Sequence, residues 1–115
     1  MSNELLPKCE RLKKKGEYRR ADTYKKARFI TRHLIILVAE NSYPHARIGI
    51  TVSKKTGIAV RRNRIKRLLR EIYRRNKDLF KDGYDYILIS RPRGRTPEYG
   101  ELYREISKAL GSHTW

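Results

Sequence analysis

The chain has 115 residues, with 29 Lys or Arg against 12 Asp or Glu, a formal net charge of +17 and a pI near 10.4. That length holds one domain with a modest core, and that charge points to polyanions, nucleic acid before anionic membrane. Cys9 is the lone cysteine, which excludes an intrachain disulfide and a cysteine-based zinc site.

Residues 1–10 are polar, contain Pro7 and show no period, so they are read as loosely held. They include no secretory apolar region, and no apolar run in the chain reaches the ~18 residues of a membrane span, so a cytoplasmic location is expected. From Leu12 to Arg28 the composition suits a helix, with Tyr18, Ala21 and Tyr24 or Lys25 at spacings of three and four. Its other faces carry cations such as Arg11, Lys13, Arg19 and Lys26. Tyr18 among them is either a platform for an unpaired RNA base or a plain core anchor, and composition alone does not separate the two.

Leu34-Ile35-Ile36-Leu37-Val38 is a continuous apolar run, which predicts a strand covered on both faces. Asn41-Ser42-Tyr43-Pro44 is turn chemistry. Arg47 to Ser53 then alternates, with Ile48, Ile50 and Val52 on one side and Gly49, Thr51 and Ser53 on the other, a shallow face that a backbone can approach closely.

The stretch from Asn41 to Arg70 contains no acid and nine Lys or Arg. Wound as a helix, Ile65, Leu68, Leu69 and Ile72 make one apolar stripe, and Asn63, Lys66, Arg67, Arg70 and Arg74 cluster opposite it. Gly57 gives freedom at the start of this helix, where Thr56 or Ser53 is expected to cap. Free amides there, beside Lys54 and Lys55, make a local anion site. The bland alternative is a solvated face with surplus charge. Beyond it, Lys81-Asp82-Gly83 reads as a turn and Tyr84–Ser90 as a strand. A basic loop follows at Arg91-Pro92-Arg93-Gly94-Arg95. Thr96-Pro97-Glu98 reads as N-cap, first helical position and an acid near the positive end of the dipole, opening a last helix that Gly111 stops. Residues 112–115 read as a frayed tail.

No constellation of catalytic groups stands out. Asp78, Asp82 and Asp85 lie around a turn where solvated surface is the expectation, and His33, His45 and His113 are scattered. Lys54-Lys55-Thr56-Gly57 lacks the spacing of a phosphate-binding loop. The residues describe an α+β two-layer sandwich with a mainly antiparallel sheet that binds RNA.

Ser53-Lys54-Lys55-Thr56-Gly57-Ile58-Ala59-Val60-Arg61-Arg62-Asn63-Arg64-Ile65-Lys66-Arg67-Leu68-Leu69-Arg70-Glu71 closely resembles the signature of the bacterial ribonuclease P protein subunit. The resemblance continues through Arg11-Leu12-Lys13-Lys14 with an aromatic at Tyr18, through Arg47 to Ser53, and weakly through Ile89-Ser90-Arg91-Pro92. It implies a single domain of order αβββαβα with a left-handed βαβ crossover, like the second domain of ribosomal protein S5. It also implies a partner, the catalytic RNA, and a substrate, precursor tRNA, whose 5′ leader the holoenzyme removes with Mg²⁺ held by the RNA. No membrane and no obligate protein partner are implied.

By the same resemblance, Lys54, Lys55, Gly57, Ala59, Arg62, Asn63, Lys66, Arg67 and Arg70 meet the catalytic RNA, while Tyr18, Ile35, Leu37 and Ser53 line a cleft for the single-stranded leader. The family commonly carries a second aromatic one turn after the first, where this chain has Asp22, with Tyr24 as the nearest substitute. The rival classes are a structural protein of ribosomal type and a nuclease that needs no RNA.

Overall fold

The run that follows His33 becomes the strand on which the sheet is built. The computed structural model describes residues 10–12, 25–53, 55, 57–91 and 95–111. Within them β1 spans Lys25–Ile30, β2 Leu34–Glu40, β3 Arg47–Thr51 and β4 Tyr84–Ser90, with helices α1 at Ala59–Arg75 and α2 at Tyr99–Leu110. The expectations at Tyr18, Asp22, Tyr24, Lys54, Thr56, residues 92–94 and the tail lie outside the described residues, as does the first helix of the expected order.

The sheet order is β1-β2-β4-β3. β2 pairs antiparallel with β1 and β4, whereas β3 runs parallel to β4. Parallel neighbours cannot be joined by a tight hairpin, so the chain crosses over through α1. The result is a mixed sheet with two helices, an α+β fold in the order βββαβα across the described residues.

Both faces of β2 are covered, as an unbroken apolar strand requires. Leu34, Ile36 and Val38 meet Tyr86 and Leu88 of β4, Ile65, Leu69 and Ile72 of α1, and Leu102 and Ile106 of α2 in the main core. On the opposite face Leu37 and Ala39 pack with Ile87 and with Leu12, whose amide donates to the Ile48 carbonyl at 2.9 Å. Glu10, at the end of the stretch expected to be loose, is held by the Tyr73 hydroxyl and by Lys77 at 3.2 Å.

Four sequence expectations change. The first helix was expected to run to Arg28, but Lys25–Ile30 is an edge strand paired from Ile30↔Ile35 to Lys25↔Ala39, with a shift of register between Lys25 and Ala27. Ala27 and Phe29 reach the main core while Lys25, Lys26, Arg28 and Ile30 face outward or the other side. Pairing with an apolar neighbour outweighs a helix-compatible composition, and lysines are residues commonly found on such edge strands. The second change is Asp85, expected on solvated surface and in fact 2% exposed. Its carboxylate accepts from Arg47 Nε at 2.8 Å, Arg47 Nη2 at 2.7 Å and Asn41 Nδ2 at 2.7 Å. The cause is register, because the parallel pairing sets Arg47 directly beside Asp85.

The third change is at α1, whose N-cap is Ile58 with no side-chain cap bond, so Ser53 is not the N-cap residue. The fourth is at α2, capped by Glu98 in a reciprocal capping box with Glu101 instead of by Thr96. Gly111 does stop α2, but at φ −69, an ordinary helical value; a Cβ there would lie 2.5 Å from the Ser107 carbonyl, so close approach is what excludes a side chain.

Glu101 also accepts two bonds from Arg95, at 2.9 and 2.8 Å, and one from the Glu98 amide at 3.0 Å. Chiefly the Arg95 bonds, then the Glu98 amide, hold its carboxyl down from 4.5 to about 2. A depressed carboxyl stabilises the fold above its unfolded value and loses that contribution as pH falls through the folded one. Glu101→Gln is therefore expected to be less stable than the parent at neutral pH, with the gap closing between about pH 4.5 and about pH 2. Denaturant melts of both proteins across that range check it, and a gap independent of pH would refute it.

Candidate nucleic-acid interface

α1 forms because its stripe at Ile65, Leu69, Ile72 and Tyr73 is buried against the sheet, with Leu68 half-buried beside it. Each such side chain taken from water contributes roughly 1.5–3 kcal/mol. Burying that stripe turns the cationic side outward. Asn63, Arg67 and Arg70 are exposed, Lys66 is partly so, and these four with Val60 line an open depression of about 450 Å³. No acid lines that depression. Arg74, expected in the same cluster, is instead engaged by Glu71 at 2.6 Å, and Arg75 meets the same carboxylate at 2.7 Å. The Arg74 bond leads in holding Glu71 below the usual carboxylate range.

The start of α1 has a different character. Gly57 adopts φ +134, a backbone region closed to most side chains, and a Cβ there would meet Arg61 Cδ at 3.1 Å. Arg62 turns back, its Nε donating to the Gly57 carbonyl at 3.1 Å, so it braces the turn and stands apart from the Asn63–Arg70 group. Ala59 is exposed as the first helical residue, and Lys55 is exposed just before it. With no acid in the first turn, the positive end of the helix dipole lies open beside these cations. Ile58 and Val60 are both more than two thirds exposed, an apolar rim that the basic pattern of the sequence obscured.

The second expected surface lies on the sheet face turned away from the main core. Ile35 is half-buried there, Leu37 is buried as part of the floor, and Ser53 is exposed where β3 ends. Cross-strand register adds residues that the sequence did not single out. Ile30 pairs with Ile35, Ile35 with Ile89, and Ile89 with Thr51, so these four form one row across all four strands. The signal was present only as β-type alternation, and in β1 it was masked by the lysines and arginines. Five residues, 54–58, lead from Ser53 to Ala59, so the sheet face and the cationic helix adjoin through one short connection.

Each of the two described histidines has a partner within the protein. His33 is buried, with its Nδ1 2.5 Å from Glu105 Oε2, and His45 stacks on Tyr43 in the β2–β3 turn. Among the described residues no three His, Cys, Asp or Glu side chains form a group able to hold a metal ion, and no helix is long and apolar enough to cross a membrane.

Comparison with known proteins gives a consistent picture. A sequence profile of the family "Ribonuclease P" matches residues 6–114. The ribonuclease P protein component of Syntrophus aciditrophicus is 41% identical over 110 residues, covering 96% of this chain and 92% of that protein. That of Natranaerobius thermophilus is 43% identical over 95 residues, covering 83% and 82%. Among solved structures, the RNase P protein of Staphylococcus aureus superposes with a TM-score of 0.79 at 29% identity, covering 89% of this chain and 93% of that one. The RNase P protein of Thermotoga maritima gives 0.78 at 27%, covering 92% and 99%.

Proposed function

Since this chain belongs to the ribonuclease P protein family, we propose that it works beside a catalytic RNA, holding that RNA and the 5′ leader of precursor tRNA together while the leader is removed. The observation that carries the reading is the open, acid-free face of Asn63, Lys66, Arg67 and Arg70, adjoining a sheet face crossed by an apolar row. Two large RNAs repel each other, and cations between them reduce that repulsion by replacing condensed counterions. Lys54, Lys55, Gly57, Ala59 and Arg62 belong to the same surface in this reading. The open amides at the start of α1 suit a phosphate oxygen.

The leader crosses the other surface, over Ile35, the Leu37 floor and Ser53, with Tyr18 as a stacking partner. Base faces find apolar contact there without any demand for a particular sequence. The hydrolytic chemistry would come from Mg²⁺ held by the RNA and not by this chain, as an activated water and a charge beside the leaving oxygen. The protein contributes position and charge, and its site of action is the cytoplasm.

The test is cleavage of a leader-bearing precursor tRNA at low Mg²⁺ by the protein alone, by a bacterial ribonuclease P RNA alone and by both. Correct 5′ processing that needs both components is the expected result. Cleavage by the protein alone would overturn the assignment of chemistry to the RNA, and no gain from adding the protein would overturn the subunit reading.

A further inference from the structure

A groove of about 520 Å³ runs along β1, the outermost strand of the described sheet, between that strand and α2. Arg28, Ile30 and Arg32 line one wall and Lys108 the other. We propose that this groove is a second leader site, taking the phosphates of single-stranded RNA after the strand has crossed the sheet and left it over β1. The proposal rests on the leader path described above.

Charge is the first argument. Glu105 is the acid lining the groove, and its oxygens are turned to the protein: Oε1 accepts from the Thr31 hydroxyl at 2.5 Å and the His33 amide at 2.9 Å, and Oε2 faces His33 Nδ1 at 2.5 Å. Arg28, Arg32 and Lys108 form no ion pair among the described residues, so the wall a ligand meets is cationic. The Glu105 clamp also fixes the β1–β2 turn, where Thr31 Oγ1 receives the Leu34 amide at 3.1 Å and Arg91 Nη1 donates to the Thr31 carbonyl at 2.6 Å. The cations therefore stand on a rigid base.

Continuity is the second argument. Ile30, 57% exposed, is both a wall of the groove and the last member of the row Thr51, Ile89, Ile35, Ile30. Three strand spacings of about 4.8 Å carry that row roughly 14 Å across the sheet. In the path described above the catalytic RNA lies against α1, so a strand that enters the row beside Ser53 and follows it reaches the opposite edge at Ile30, where the groove begins. A peptide strand added to β1 is disfavoured by Lys25, Lys26 and Arg28, which oppose edge pairing.

The experiment measures affinity of the assembled holoenzyme for precursor tRNAs with a leader long enough to pass β1, with a leader truncated within the sheet, and for mature tRNA. The parent protein is compared with Arg28→Ala/Arg32→Ala/Lys108→Ala. The expected result is a loss confined to the long leader, with its log-affinity against log-salt slope reduced by about 2, at roughly 0.7 per phosphate contact on a single strand. Affinity for the truncated leader stays unchanged and serves as the control for folding and assembly. Equal losses on all three RNAs, or no loss on any, would overturn the proposal. If even the parent protein gains nothing from a leader of either length over mature tRNA, the leader path itself is wrong.

Discussion

Arg67→Ala/Arg70→Ala is expected to weaken binding to the catalytic RNA by about 50-fold at ~0.1 M salt and to flatten the log-affinity against log-salt slope by about 1.8, the value for two lost phosphate contacts on duplex. Both side chains are exposed and line the same depression, so they act on one stretch of RNA. Neither contributes to the core, and the melting transition should move by no more than the small shift typical of surface substitutions, within about 0.5 kcal/mol. The decisive readout is the slope, since a uniform loss at every salt concentration would indicate a contact to bases or a damaged fold. An unchanged affinity and slope would remove the exposed face of α1 from the interface.

Asp85→Ala is expected to cost about 3–5 kcal/mol, because it leaves the Arg47 guanidinium buried without its carboxylate. That is a large share of the 5–15 kcal/mol that holds a typical domain together. Asn41 loses its 2.7 Å acceptor at the same time, and the Arg47 guanidinium that stands 4.5 Å from the Tyr43 ring loses its anchor. Arg47→Met/Asp85→Leu removes both charges while keeping volume, and most of the lost stability should return. Urea unfolding of the two variants and the parent checks this. Equal losses in the single and double variants would mean that packing, and not the loss of the carboxylate opposite the buried guanidinium, sets the cost. The consequence for function is indirect: the pair fastens the start of β3, and β3 leads to Ser53 and on to α1.

The candidate site was legible in proportion to how local it is. α1 could be read from the sequence because a helix repeats within a few residues, so Ile65, Leu69 and Ile72 announce the buried stripe and Asn63, Arg67 and Arg70 the exposed one. β2 was equally plain, since five apolar residues in succession can be satisfied only by cover on both faces. β1 was not. Only Ala27 and Phe29 of its six residues reach the core, and four cations or half-exposed positions between them resemble a basic helix until β2 is beside them. The caps failed for a related reason: Thr96 is a preferred cap residue and Glu98 is not, yet the cap falls at Glu98, which Glu101 answers from the third helical position.

Charge, the amphipathic helix and the apolar central strand were thus determined by the sequence alone, because each depends on composition or on spacings shorter than two helical turns. Tertiary structure decided the rest. The parallel pairing of β3 with β4 buries Asp85 against Arg47, across 38 positions of chain, and aligns Thr51, Ile89, Ile35 and Ile30 from four separate strands. Those residues acquire a common face only when hydrogen-bond register brings distant segments side by side, and no local pattern encodes that register.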